Sequence, residues 1–150
     1  MFISLNSMSV ETKYIELETG GNAEAVDITP HLRKRLAETG LTDGVATVFV
    51  PGSTGGLTTI EFEPGLVEDL KELWERIAPA GRPYHHDRAW GDGNGHSHIR
   101  ASIVGPSLSI PFCAGEFTLG TWQQVVFLDF DNRARSRRLI LQFCGEREST

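Results

Sequence analysis

Between Tyr84 and Ile99 the chain reads Tyr-His-His-Asp-Arg-Ala-Trp-Gly-Asp-Gly-Asn-Gly-His-Ser-His-Ile, bringing His85, His86, His96 and His98 close to Asp87 and Asp92. Imidazole titrates nearest neutral pH and is a common metal ligand, so these residues suit divalent-metal binding or acid–base chemistry. On a strand, His96 and His98 would project to one face and could share an ion; on a loop that geometry is not guaranteed. His85 and His86 are adjacent, so in extended chain only one of them faces that site. Asp92 either completes the shell or orients a ligating histidine. A polar surface loop is the alternative reading of the same residues.

Other segments offer partners to this loop. The turn Pro51-Gly-Ser-Thr-Gly-Gly56 can cradle an anion on its backbone N–H groups, or serve only to reverse the chain. It lacks the Gly-Lys-Ser/Thr of a nucleotide-binding loop. Glu61 suits a general base or metal ligand, or else the solvated face of its strand, and Glu116 carries the same ambiguity. In an extended run Arg133, Arg135 and Arg137 share one side, where they solubilise a hairpin. Arg138 takes the other side, beside Leu139, and is expected to reach a site and bind phosphate or carboxylate. Trp122 is expected in the core, with a pocket wall as the alternative.

The elements that must position these groups are legible in the pattern. Val10–Glu18 alternates as a strand, with Ile15 and Leu17 on one face and Tyr14 on the other. Ala25–Ile28 reads as a short strand. Thr29 as N-cap and Pro30 as first helical residue open a short helix that Gly40 closes. Val45–Val50 and Leu57–Phe62 read as strands. Leu66–Ile77 reads as a helix with Leu66, Leu70, Leu73, Trp74 and Ile77 on its buried stripe. Beyond the histidines the pattern looks wholly β: Ile99–Val104, Leu108–Phe112, a short Glu116–Gly120 element, and a Trp122–Phe130/Arg137–Cys144 hairpin about Asp131-Asn132. The order predicts an α+β fold, with a prominent antiparallel or mixed sheet and two helices.

With 150 residues, one domain over 10–147 is expected, and residues 1–9 read as a disordered extension. A net charge of −6 argues against a general nucleic-acid partner. No apolar run reaches the roughly 18 residues of a membrane span, and the N-terminus does not resemble a signal peptide. Cys113 and Cys144 form no disulfide or zinc-knuckle pattern, which fits a reducing cytoplasm.

Several segments together resemble the YjbQ-like family, often labelled secondary thiamine-phosphate synthase. They are Phe-Val-Pro-Gly-Ser-Thr-Gly-Gly-Leu-Thr-Thr-Ile-Glu (Phe49 to Glu61), Tyr84-x-His86-Asp87, Asp92-x-Asn94-x-x-x-His98, Leu119-Gly-Thr-Trp-Gln123, Ser136-Arg-Arg138 and Gly145-Glu146. The likeness runs from Tyr14 to Glu146. It implies an α+β homotrimer with clefts between subunits and a histidine-lined metal or anion site. By motif, His86 and His98 take the main ligand roles, supported by Asp92, and the ion would be zinc, magnesium or manganese. Glu61 and Arg138 become the catalytic candidates, with Cys113, His96, Thr54, Trp122 and Gln123 as additional ones. Gly52 stands where many members carry a histidine, and Cys113 where some carry another.

The reaction implied joins a pyrimidine-methyl pyrophosphate to a thiazole phosphate with loss of pyrophosphate. Dedicated enzymes use a (β/α)₈ barrel of roughly 200 residues or more, so here the activity is expected to be weak and secondary. Metal-dependent hydrolysis of a small phosphorylated metabolite, or binding without turnover, are the alternatives.

Overall fold

Val125-Val-Phe-Leu128 is buried on both faces, and this run dictates the layering. Val125 and Phe127 join one apolar cluster, while Val126 and Leu128 join another on the opposite side. The computed structural model describes residues 7–148. In chain order it contains β1 (Ser9–Thr19), β2 (Glu24–Asp27), α1 (Thr29–Thr39), β3 (Asp43–Phe49), β4 (Gly55–Ile60), α2 (Pro64–Ile77), α3 (His85–Trp90), α4 (Gly95–Val104), β5 (Ser107–Cys113), β6 (Glu116–Phe117), β7 (Gln124–Asp129) and β8 (Arg135–Glu146).

One sheet has the order β1-β8-β3-β5-β6 and the other β2-β7-β4, with every pairing antiparallel. The larger cluster combines Ile15, Val48, Leu139, Leu141 and Phe143 of the five-stranded sheet with Leu32 and Leu36 of α1 and Leu57 and Phe127 of the smaller sheet. Trp74 of α2 and Ala101 of α4 cover the other side of the smaller sheet, with Trp74 edge-on to Phe130 at 5.0 Å.

The fold class is α+β as expected, but with four helices among the described residues rather than two. Ile99–Val104 is the C-terminal part of helix α4, although its Ile and Val residues lean locally toward strand. Packing of Ala101 and Val104 against the smaller sheet overrides that preference. The expected Trp122–Phe130/Arg137–Cys144 hairpin does not form, because β7 and β8 lie in different sheets. The chain instead crosses between sheets at Phe130–Ala134, and β8 pairs with β1 and β3.

Smaller corrections have local causes. Thr29 is the first helical residue of α1, and Ile28 is its N-cap. Asp27 Oδ1 accepts the Thr29 N–H at 2.9 Å, while the Thr29 hydroxyl accepts the Val125 N–H at 2.9 Å. Along the predicted α2 stripe only Trp74 is buried; Leu73 and Ile77 are exposed. Of the expected extension, residues 1–6 fall outside the described residues, whereas Ser9 already pairs with Gly145. Among the described residues, no helix is long and apolar enough to cross a membrane.

The crossing is pinned from beneath by Gly21, whose φ is 73°. A Cβ there would lie 2.4 Å from the Asp131 carbonyl oxygen and 2.6 Å from that of Arg133. Gly21→Ala therefore adds a clash to a left-handed backbone, and a loss of about 2 kcal/mol or more in urea unfolding is expected.

Candidate metal corner and its buried support

Helices α3 and α4 meet at a tight junction that brings the histidines together. Gly95 permits it, since a Cβ there would sit 2.5 Å from Tyr84 Cβ. Asp87 locks the junction by accepting the Tyr84 N–H on Oδ2 and the Gly95 N–H on Oδ1, both at 2.9 Å. Those bonds, the Gly95 one foremost, hold its carboxyl below the usual aspartate range.

Against this frame, His86 Nδ1 lies 3.6 Å from Asp92 Oδ1 and 3.9 Å from Asp87 Oδ1. Ligand atoms of His86, Asp87 and Asp92 all fall within 4.8 Å of one another. His86 Nδ1 is buried and, among the described residues, has no hydrogen-bond partner. Such an orphaned atom is expensive unless something coordinates it. Two donors of a tetrahedral ion with bonds of about 2.0–2.2 Å lie roughly 3.4 Å apart, so the spacing fits a small divalent cation.

His98 stacks on His86 with ring centroids 4.3 Å apart, which places it beside the triad. Burial, then the neighbouring His86, draws its pKa below the ordinary histidine value and favours the neutral, ligand-competent ring. His96 does not share its face. Two residues apart on a helix, the rings diverge, and His96 is buried beside Tyr84 with Nδ1 unpartnered. His96-Ser-His98 is thus neither the strand that would let both rings share an ion nor a loop, but part of helix α4. His85 stands next to His86 at the start of α3 and is not part of the triad.

The pKa of His96 is also drawn down, first by burial and then by Arg100, against the opposing pull of Glu75, Asp87 and Asp131. Its folded state favours the neutral ring, so the unfolded chain binds more protons below the reference value of 6.5. Stability is therefore expected to decline as pH falls from about 6.5 toward 5, and His96→Phe should flatten that slope in urea titrations.

Behind the corner lies a charged network that sequence reading missed. Asp129 and Asp131 are fully buried. Arg137 grips Asp129 with two bonds of 2.8 Å, and Thr19 Oγ1 donates to the same carboxylate at 2.5 Å. Asp131 accepts bonds of 3.0 Å from Thr54 Oγ1 and from Arg135 Nε. Burial raises the Asp131 pKa, but bonds from Thr54 and Arg135 and the two arginine charges outweigh it and hold the group below normal. Asn94 links network and corner: its Nδ2 donates to Asp131 Oδ1 at 3.5 Å, and its Oδ1 accepts the Asn132 N–H at 3.3 Å. The one available signal was Asp129-Phe-Asp131, two acids directly after the apolar run Val125–Leu128.

Several predicted site residues lie elsewhere. Arg138 is exposed and pairs with Glu16 at 2.5 Å; Arg137, not Arg138, points inward. The β register decides this, because Leu139, Leu141 and Phe143 alternate into the core on the side of Arg137. Glu61 and Trp122 line a separate cleft of about 490 Å³ with Phe62 and Arg33. Glu61 follows the far end of β4 from the Gly52–Thr54 turn, a span of about 20 Å. Trp122 is 72% exposed rather than in the core. Gln123 donates to Thr59 Oγ1 at 3.1 Å. Cys113 is exposed, and bonding to Asp43 raises its pKa; it is not among the triad. Thr54 sits inside the buried network.

These features define a two-sheet α+β protein with a His/Asp cluster able to coordinate a metal ion. Residues 13–146 match the family model described as UPF0047 protein YjbQ-like, and the chain belongs to that family. A UPF0047 protein of Archaeoglobus fulgidus is 38% identical over 128 residues, covering 85% of this chain and 97% of the relative. The UPF0047 protein YugU of Bacillus subtilis is 32% identical over 136 residues, covering 89% and 98%. A YbjQ-like protein of unknown function from Sulfolobus solfataricus P2 superposes with TM-score 0.88 at 28% identity, covering 93% of this chain and all of its own (100%). A hypothetical protein from Aeropyrum pernix K1 gives TM-score 0.85 at 32% identity, covering 91% and 99%.

Proposed function

We propose that this protein is a metal-assisted enzyme acting on a small phosphorylated metabolite, with weak thiamine-phosphate synthase activity. The observation that carries the reading is the buried, unpartnered His86 Nδ1 facing Asp92 and Asp87. His86 and Asp92 would hold the ion. Asp87, whose oxygens already accept two N–H groups, has lone pairs left to offer, and His98 closes the side of the corner. The ion, when bound, supplies positive charge that stabilises a phosphate leaving group. Asn94 and Asp131 steady the loop between the helices, so that the ligands are held before substrate arrives.

The test combines elemental analysis of untagged protein purified without chelator with an assay of both thiamine-phosphate precursors. Bound metal in near-stoichiometric amount and slow product formation, lost in His86→Ala, are expected. Protein free of contaminating synthase that forms no thiamine phosphate with Mg²⁺, Mn²⁺ or Zn²⁺ would remove the transferase assignment. Hydrolysis of a phosphorylated metabolite is the second reading. Trp122, whose ring could stack on a pyrimidine, lines the other cleft, and hydrolysis needs no such face.

Homotrimeric assembly and a cytoplasmic location belong to the same proposal. The outer face of the larger sheet carries Tyr14, Ile140 and Phe49 in one cross-strand row and Val10, Cys144 and Val45 in another. Tyr14, Phe49, Val10 and Val45 are exposed, which suits a partner subunit. Light scattering at the mass of three chains is the expected result.

A further inference from the structure

The glycine-rich turn between β3 and β4 takes no part in the metal corner, yet it borders it. His98 lies beside the Ser53 carbonyl and lines a cleft of about 250 Å³ with Gly52, Ser53 and Gly55. Gly52 N–H donates to the Val50 carbonyl at 3.0 Å, but among the described residues the N–H groups of Ser53, which lines the cleft, and of the buried Thr54 that follows it find no acceptor. Successive free N–H groups in a turn are a common anion-binding device.

Arg137 completes the picture. Its Nε and Nη2 are committed to Asp129 and Thr54, whereas among the described residues the solvent-reachable Nη1 makes no hydrogen bond. That free edge is turned toward Gly52, where a Cβ would stand 3.4 Å from Nη1. The guanidinium is thus clamped from behind, with one donor pair left over beside the turn. A clamped arginine binds an oxyanion with little loss of side-chain freedom.

We propose that the Gly52–Thr54 turn and the free edge of Arg137 form an anion subsite that receives a phosphoryl group of the substrate. His98 separates the turn from His86, its ring centroid 4.3 Å from that of His86. The inference rests on the metal-enzyme reading for its place in catalysis, but binding of a phosphate here does not require the ion. Specificity for a phosphorylated metabolite then comes from this turn, and a divalent ion held by His86 and Asp92 would supply positive charge beside it.

Inorganic phosphate is the probe, titrated calorimetrically into EDTA-treated full-length protein so that no metal contributes. Gly52→Asp places a carboxylate against Nη1 at a residue without positive φ, so the fold is expected to persist with an unchanged melting temperature. Wild type should bind phosphate in the millimolar range, and Gly52→Asp about tenfold or more weakly. Arg137→Lys, which keeps the charge opposite Asp129 but loses the fork, should also weaken binding. Absence of phosphate binding by wild type, or equal affinity in wild type and both variants, would overturn the subsite. Zinc uptake is measured on the same samples. Metal uptake that fails while the phosphate differences persist removes the metal reading alone, and the reverse result removes the subsite alone.

Discussion

Arg137→Met is expected to lower the unfolding free energy by about 3–5 kcal/mol, read as a drop in the urea midpoint at unchanged m-value. The substitution leaves Asp129 with no cation, and Asp129 is fully buried. Thr19 alone remains to donate to it, besides the Asp131 N–H at 3.1 Å. Removing one partner of a buried pair strands the other charge, which is far more damaging than removing both. The double variant Asp129→Leu/Arg137→Met should therefore recover much of the loss. If single and double variants were equally unstable, the pair would be contributing something other than mutual compensation, such as the crossing geometry that Thr54 and Asp131 share.

The second large effect concerns the ion. Zinc at about 100 times its dissociation constant should raise the unfolding free energy by about 2.7 kcal/mol, and EDTA should reverse the gain. His86→Ala or Asp92→Ala should weaken metal binding by about 100-fold or more, since each removes a direct ligand of a small set. Glu61→Gln, in the separate cleft, should leave metal affinity untouched. A metal affinity that depended on Glu61 and not on Asp92 would mean that the ion sits between subunits and not in the α3–α4 corner. Equilibrium dialysis of the three variants separates the two cases.

Much of this arrangement was legible in the chain. The alternation around Ile15 and Leu17, the β-branched run at Val45–Val50 and the apolar Val125–Leu128 run each became a strand near the expected place. The alternating run announces which side is buried, because the side-chain period of a strand is short and local, and the uniformly apolar Val125–Leu128 run announces burial on both. The Tyr84–Ile99 segment stood out by residue type alone, and His86 and Asp92 do approach each other. Family motifs likewise reside in linear order.

What could not be read is equally instructive. Helix α4 contains Ile99 and Ile103, and nothing local distinguishes it from a strand until Ala101 and Val104 meet the smaller sheet. That contact rotates His96 into the interior and leaves His98 on His86. Asp131-Asn132 looked like a hairpin turn after a strand running through Asp129, because the pairing of β7 with β2 and β4, and of β8 with β1 and β3, is long-range. Only once the sheets separate does the crossing become buried, and only then does a carboxylate there require Arg137. The sequence alone determined the strands, most of the helical content, the supply of ligands and the family. The tertiary structure decided which histidine shares an ion with which carboxylate and which arginine turns inward, because both depend on register and packing between segments far apart in the chain.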